Sequence, residues 1–285
     1  MERRKTVTPS PPPVSMGEAS FGAVEGTAVT WLGSAGFLIN CRGTLLLVDP
    51  VLSTDRDDPM RSETGMKLVH PLPVTAQGIP RADAVLYTHA DEDHLASRTA
   101  EILARTGARM IGPAPVFEKL ARLGVAVEQL ELRRSGDRFS VGEIDVEVLP
   151  ADHPWQLLDP LRFGRPFRPG DCCGYLFRTS DVNFFVTGDT RLMEEHLSVR
   201  DIDLLGLDVS PCSFHLGEQA HVLANLLPEA WLLPCHYGTY DAPPEDYAHL
   251  GNPADVLSKV KNAEERTILA APGQAILFSD HRRIS

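Results

Sequence analysis

The segment Thr88-His89-Ala90-Asp91-Glu92-Asp93-His94 constrains this chain more than any other. Four of its residues, His89, Asp91, Asp93 and His94, are potential metal ligands. They fall between an apolar, β-branched run (Ala82 to Tyr87) and a helical pattern (Leu95, Thr99, Ile102, Leu103). The run reads as a buried strand and the pattern as an amphipathic helix, so the ligands occupy the turn between them. Residues two apart in an extended segment point the same way, which lets His89 and Asp91 face one ion. Asp93 and His94 lie where the chain turns into the helix and can face another. One loop can therefore serve two adjacent metals. Taken alone, it also fits a solvated polar loop capped by Asp93.

With 43% hydrophobic and 23% charged residues in 285, the chain can bury a full core in one large domain. Its net charge of −12 argues against nucleic acid or an anionic membrane as the main partner, because phosphate binding needs a basic field. No stretch approaches the length of a membrane span. Cys41, Cys172, Cys173, Cys212 and Cys235 form no C-x-x-C pair and no even framework, so a reducing, cytoplasmic setting is expected. Residues 1–25 are expected to be a disordered, Pro-rich tail, and 26–285 a single domain. A homo-oligomer is left open.

Along the domain, Ala28 to Leu32, Phe37 to Ile39 and Leu45 to Val48 read as a β-meander ending at Asp49-Pro50. Ser53 to Pro80 is a long polar stretch without a period, equally consistent with a lid and with a floppy excursion. Strands are expected at Ala108 to Ile111, Val125 to Leu132, Phe139 to Leu149, Tyr175 to Arg178, Val182 to Val186, Asp203 to Val209, Trp231 to Leu233, Thr267 to Ala270 and Ala275 to Phe278. Helices are expected at Ala114 to Leu123, Leu192 to Leu197, Glu218 to Leu227 and Pro253 to Lys261. This order suits sheets packed on each other with helices outside. A second insert, Trp155 to Asp171, carries Arg162, Arg165 and Arg168 among Phe163 and Phe167. Its arginines suit an anionic small-molecule substrate, or form a solvated basic loop.

Ligand-type residues recur at four strand ends: the His89 to His94 loop, His153, Asp189 and His236. Each alone has a bland reading as a loop or capping residue. Four in the same local context point to a shared metal centre, since strand ends on a rigid sheet hold a site precisely.

The order of these motifs resembles the metallo-β-lactamase superfamily, whose hallmark is His-x-His-x-Asp-His, then a distal His, an Asp after a buried strand and a late His. The segments Thr30-Trp31-Leu32-Gly33-Ser34-Ala35-Gly36-Phe37, Val186-Thr187-Gly188-Asp189-Thr190 and Leu233-Pro234-Cys235-His236-Tyr237-Gly238 look most like the branch that includes L-ascorbate-6-phosphate lactonase. The resemblance implies an α/β fold, a four-layer αββα sandwich with the site at one edge between the sheets. It assigns one divalent ion to His89, residue 91 and His153, and a second to Asp93, His94 and His236, with Asp189 bridging. The implied activity is metal-dependent hydrolysis of a small ester, lactone or phosphodiester by a metal-bridging hydroxide.

One position departs from the pattern: the usual second histidine is Asp91. A carboxylate there makes a harder site that favours manganese or iron over zinc, unless the first site is weakened and left unfilled. It also keeps open a di-iron oxidoreductase, as in the flavodiiron branch, and a non-catalytic binding module is the third class. Asp93 and Asp189 are expected to orient the reacting water. His215, Tyr237 and His221 are candidates by position for the proton donor to the leaving group, with His215 placed best.

Overall fold

The computed structural model describes residues 7–243 and 246–285. Its strands, in chain order, are β1 (Thr27–Gly33), β2 (Gly36–Cys41), β3 (Thr44–Val48), β4 (Ala84–Leu86), β5 (Arg109–Gly112), β6 (Leu130–Leu132), β7 (Arg138–Val141), β8 (Ile144–Pro150), β9 (Cys173–Arg178), β10 (Asn183–Val186), β11 (Leu204–Asp208), β12 (Trp231–Cys235), β13 (Ala275–Ser279) and β14 (Arg282–Arg283). The helices are α1 (Ser97–Ala104), α2 (Ala114–Arg122), α3 (Pro160–Phe163), α4 (Ala220–Leu226), α5 (Pro253–Leu257) and α6 (Ala263–Arg266). They form an αββα sandwich. One sheet runs β14-β13-β1-β2-β3-β4-β5-β6 and the other β12-β11-β10-β9-β8-β7.

Strand periodicity explains the layering. In β1 to β4, Val29, Trp31, Phe37, Ile39, Leu46, Val48, Ala84 and Leu86 join the core between the sheets. The alternate residues Leu38, Leu45, Leu47 and Val85 pack outward with Leu103, Val116 and Leu120 of α1 and α2. Successive side chains point to opposite faces, so a strand covered on both sides must be mostly apolar, as β2 and β3 are apart from Asn40 and Thr44 near the hairpin turn. The β8 alternation of Asp145, Val146, Glu147 and Val148 is half-exposed, as expected. The β2–β3 hairpin turns on Arg42 (φ 49°) and Gly43 (φ 97°), both in the left-handed region that a two-residue hairpin turn demands.

Some expectations shift. Thr267 makes one parallel bridge to Leu232 rather than starting a strand. Pro234 lacks the N–H that a longer ladder on that edge of β12 needs. The helix expected to reach Lys261 ends at Leu257, and a separate α6 follows Asn262 at φ 54°.

Residues 1–6 of the expected disordered tail lie outside the described residues. Residues 7–25 are a packed arm instead. Ser10 N donates to Gly238 O (3.2 Å), Val14 N to Pro272 O (2.8 Å) and Met16 N to Pro73 O (2.9 Å). Met16 and Phe21 are buried in the outer core. Composition missed this because a Pro-rich segment can lie extended along a groove and bond its few N–H groups to loop carbonyls.

The Ser53 to Pro80 stretch is also fastened down. Thr54 bridges Ser62, Arg61 bridges Lys67 and Leu68 bridges Tyr240. The Glu63 carboxylate caps α1, accepting from Arg98 N at 2.6 Å and Thr99 N at 3.0 Å. No helix among the described residues is long and apolar enough to cross a membrane.

Candidate metal centre

The parallel β3 and β4 end together in the first sheet. In the second, β10, β11 and β12 are parallel, and β8 runs in their direction because each is antiparallel to β9. Asp49, His89, His153, Asp189 and His236 follow the C-terminal ends of β3, β4, β8, β10 and β12, and Asp208 is the last residue of β11. The sheets are tied at this edge. Tyr175 Oη donates to Tyr87 O (2.8 Å) and Cys173 N to Thr88 O (2.9 Å). Gly188 sits so close to Thr88 that a Cβ would lie 2.9 Å from the Thr88 Cβ.

The structure brings all seven sequence-derived ligand positions to this edge. His89, Asp91 and His153 form one group and Asp93, His94, Asp189 and His236 another, each with its donor atoms within 4.8 Å of one another. Asp189 Oδ2 is the hub: His94 Nε2 lies at 3.1 Å, His215 Nε2 at 3.3 Å, His236 Nε2 at 3.5 Å and His153 Nε2 at 3.8 Å. Asp93 Oδ2 faces His236 Nε2 at 3.6 Å and His94 Nε2 at 3.8 Å. Asp91 Oδ2 faces His89 Nε2 at 3.4 Å and His153 Nε2 at 3.7 Å.

Outer partners set the tautomers. His94 Nδ1 donates to Asp49 Oδ2 (2.9 Å), His215 Nδ1 to Asp208 Oδ2 (2.8 Å) and His153 Nδ1 to the Phe214 carbonyl (2.8 Å). Thr88 Oγ1 donates to Asp49 Oδ2 (2.6 Å), which leaves it to accept from His89 Nδ1 (3.0 Å). In these four rings the bond at Nδ1 turns Nε2 inward, as outer hydrogen-bond partners orient histidines in metal sites.

Imidazoles and carboxylates at this edge shift one another's charge. Burial alone would raise Asp189 and Asp93. The His215, His94 and His236 charges around Asp189, and His94, His236 and His249 around Asp93, hold both well below the usual carboxylate range. Burial opposes charge on His94 and His236, yet Asp189 above all raises both well above an ordinary imidazole. Burial brings His153 down to about 4. The two imidazoles and the carboxylates thus favour one another's charged forms. Nε2 of His89, His94 and His236 is nevertheless buried with no hydrogen-bond partner. Buried polar atoms are rarely left so, and imidazole nitrogens converging with carboxylate oxygens are a donor set for zinc, manganese or iron. The residues fit bound metal.

His215 lies inside the cluster. Tyr237 instead stacks on Trp31 (5.3 Å) in the core, and His221 Nδ1 bonds the Glu218 carbonyl on its own turn (2.6 Å). Arg165 pairs with Asp171 and Arg162 lies over Phe163, so both serve the insert itself. Sequence reasoning missed Asp49, Asp208 and His249. The first two carried the signal used for the ligands, a carboxylate at a strand end. His249, whose Nε2 is 3.8 Å from Asp93 and whose ring stacks on His236, comes from a single 3₁₀ turn (Tyr247–His249) that no sequence pattern marks.

The fold has known relatives. The model of the beta-lactamase superfamily domain matches residues 44–237, more than half of the chain, and the chain belongs to that superfamily. A curated metal-dependent hydrolase of Carboxydothermus hydrogenoformans is 26% identical over 85% of this chain and 99% of its own length. Two solved structures share the fold. The isothiocyanate hydrolase from Delia radicum gut bacteria has a TM-score of 0.67 at 15% identity, over 88% of this chain and 99% of that one. CmlA, a diiron beta-hydroxylase from Streptomyces venezuelae, has a TM-score of 0.63 at 16% identity, over 89% of this chain and 54% of that one.

Proposed function

We propose that this metal-dependent hydrolase of the beta-lactamase superfamily works with two divalent cations on a small ester, lactone or phosphodiester. His89, Asp91 and His153 would hold one ion, and Asp93, His94 and His236 the other, with Asp189 between them. The observation that carries the reading is the set of buried Nε2 atoms, none in a well-aligned hydrogen bond, gathered around the Asp189 carboxylate. Bound cations would supply Lewis acidity, polarising the carbonyl or phosphoryl oxygen and acidifying water.

The chain's own residues do the rest. Asp93 and Asp189 offset the cationic charge and orient the water that attacks. His215, held at Nδ1 by Asp208, presents Nε2 to take the water's proton and deliver it to the leaving group. Phe167, 5.9 Å from the His89 ring and 6.5 Å from His153, keeps water from that flank. A cytoplasmic setting belongs to the same reading, since all five cysteines are buried thiols.

Asp91 supports a second reading, a di-iron oxidoreductase, because a carboxylate suits a harder metal. Elemental analysis of protein purified without chelator, an optical spectrum, and assays on a generic phosphodiester and a lactone separate the two. A colourless zinc or manganese protein that hydrolyses either substrate supports the first. A coloured iron protein inert to both supports the second. Asp189→Ala is expected to remove metal and activity together, and retention of both defeats the assignment.

A further inference from the structure

We infer that Trp155 is a positioning residue for Asp91, fixing the carboxylate that stands where the superfamily pattern has histidine; this rests on the two-cation reading. The indole Nε1–H donates to Asp91 Oδ2 at 2.6 Å. That same oxygen faces His89 Nε2 and His153 Nε2. A carboxylate oxygen has two lone-pair directions, so one can accept the indole while the other faces the centre. An imidazole nitrogen has a single lone pair and cannot do both. Trp155 therefore matches the carboxylate specifically.

Asp91 needs such a partner. Its side chain is 22% exposed, whereas His89 and His153 are at most 4% exposed, and it sits in a turn rather than a strand. Without the indole it is free to swing toward solvent.

The insert is built to hold the indole in place. Trp155 packs on Phe163 with ring centroids 4.8 Å apart. The next residue, Gln156, is buried and accepts from Phe167 N at 3.1 Å. That bond closes the insert and lays Phe167 against His89. The second insert, which has no periodicity in sequence, thus braces the flank of the centre that departs from the pattern.

The test compares wild type, Trp155→Phe, Asp91→Ala and the double variant. Zinc retained per chain is measured against graded chelator, with the Tm of each metal-free protein as control. Trp155→Phe keeps an aromatic ring and loses the N–H. It is expected to bind one cation as wild type does and the other about 10–100-fold more weakly, with metal-free Tm unchanged. Asp91→Ala is expected to weaken the same cation, and adding Trp155→Phe to it to weaken it no further. Wild-type affinity for both cations in Trp155→Phe overturns the inference alone, as does a full additional loss in the double variant or a drop in metal-free Tm. A wild-type protein that binds no metal overturns the two-cation reading and this inference with it.

Discussion

Asp49 accepts the Nδ1 proton of His94 at 2.9 Å, and the opposite ring nitrogen then faces Asp189 at 3.1 Å. The same carboxylate accepts from Thr88 N (2.8 Å) and Thr88 Oγ1 (2.6 Å), and it is fully buried. It also holds a left-handed backbone, φ 43°, a conformation seldom kept without a role. One residue thus aligns both ends of the ligand loop, His94 directly and His89 through the Thr88 hydroxyl.

Asp49→Asn is expected to weaken metal affinity about 10–100-fold, because an amide cannot accept from all three donors as a carboxylate does. Asp49→Ala leaves those buried donors unpaired, at about 1–3 kcal/mol each, and is expected to lower Tm even without metal. Elemental analysis and thermal unfolding of the two variants separate the effects. Wild-type metal affinity in Asp49→Asn would remove Asp49 from the centre.

His215 is distinguished from the ligands by what its loss changes. With its ring set by Asp208, it is expected to move protons rather than hold metal. His215→Gln should then retain both cations while kcat falls about 10²–10⁴-fold, the usual range for a general acid–base group. Loss of a cation in this variant would make His215 a ligand instead.

The positions gathered at this edge were legible because each follows a strand end marked by an apolar run, and the sandwich because those runs alternate with helical patterns. The outer partners were harder to read. Asp49 looked like the end of a meander, and nothing local reveals that His94, 45 residues on, needs its carboxylate. Trp155 marked only the start of the second insert, since a hydrogen bond 64 residues back to Asp91 leaves no trace in spacing. The arm over residues 7–25 was misread for a related reason. Composition reports how much apolar surface a segment carries, whereas Ser10 is held by two bonds to one distant carbonyl.

Metal binding is expected to release protons. His94 and His236 are raised well above the ordinary imidazole value by Asp189 and their other carboxylate neighbours, against the opposing effect of burial. Each therefore carries a proton in the metal-free protein at neutral pH and must lose it to bind metal. Asp93 and Asp189, held low, stay ionised, and His153, near 4, is already neutral. Apparent affinity should thus fall as pH drops through neutrality, by up to about tenfold per unit for each proton displaced. Chelator competition across that range, and calorimetry in buffers of different ionisation enthalpy, read the number of protons. A pH-independent affinity would contradict protonation of the two imidazoles.

Gly238 links the arm to the loop that carries His236. It has φ +63°, and a Cβ there would lie 2.1 Å from Ser10 N and 2.6 Å from Thr8 O. Ser10 N and Oγ both donate to the Gly238 carbonyl, at 3.2 and 3.1 Å. On the other side, His236 N donates to Ser34 O (2.8 Å) and Thr239 Oγ1 accepts from Ser34 N (2.7 Å). The late ligand is therefore clamped between the arm and the β1–β2 turn. Gly238→Ala adds both a clash and a left-handed strain. It is expected to cost more than about 1 kcal/mol, a Tm fall of at least about 2–4 °C in a domain of this size, with weaker retention of the cation assigned to His236. In a chain truncated before Pro11 the clash is gone and the strain remains, so the same substitution should cost less there. An equal Tm loss in both backgrounds would show that the arm does not bear on the His236 loop.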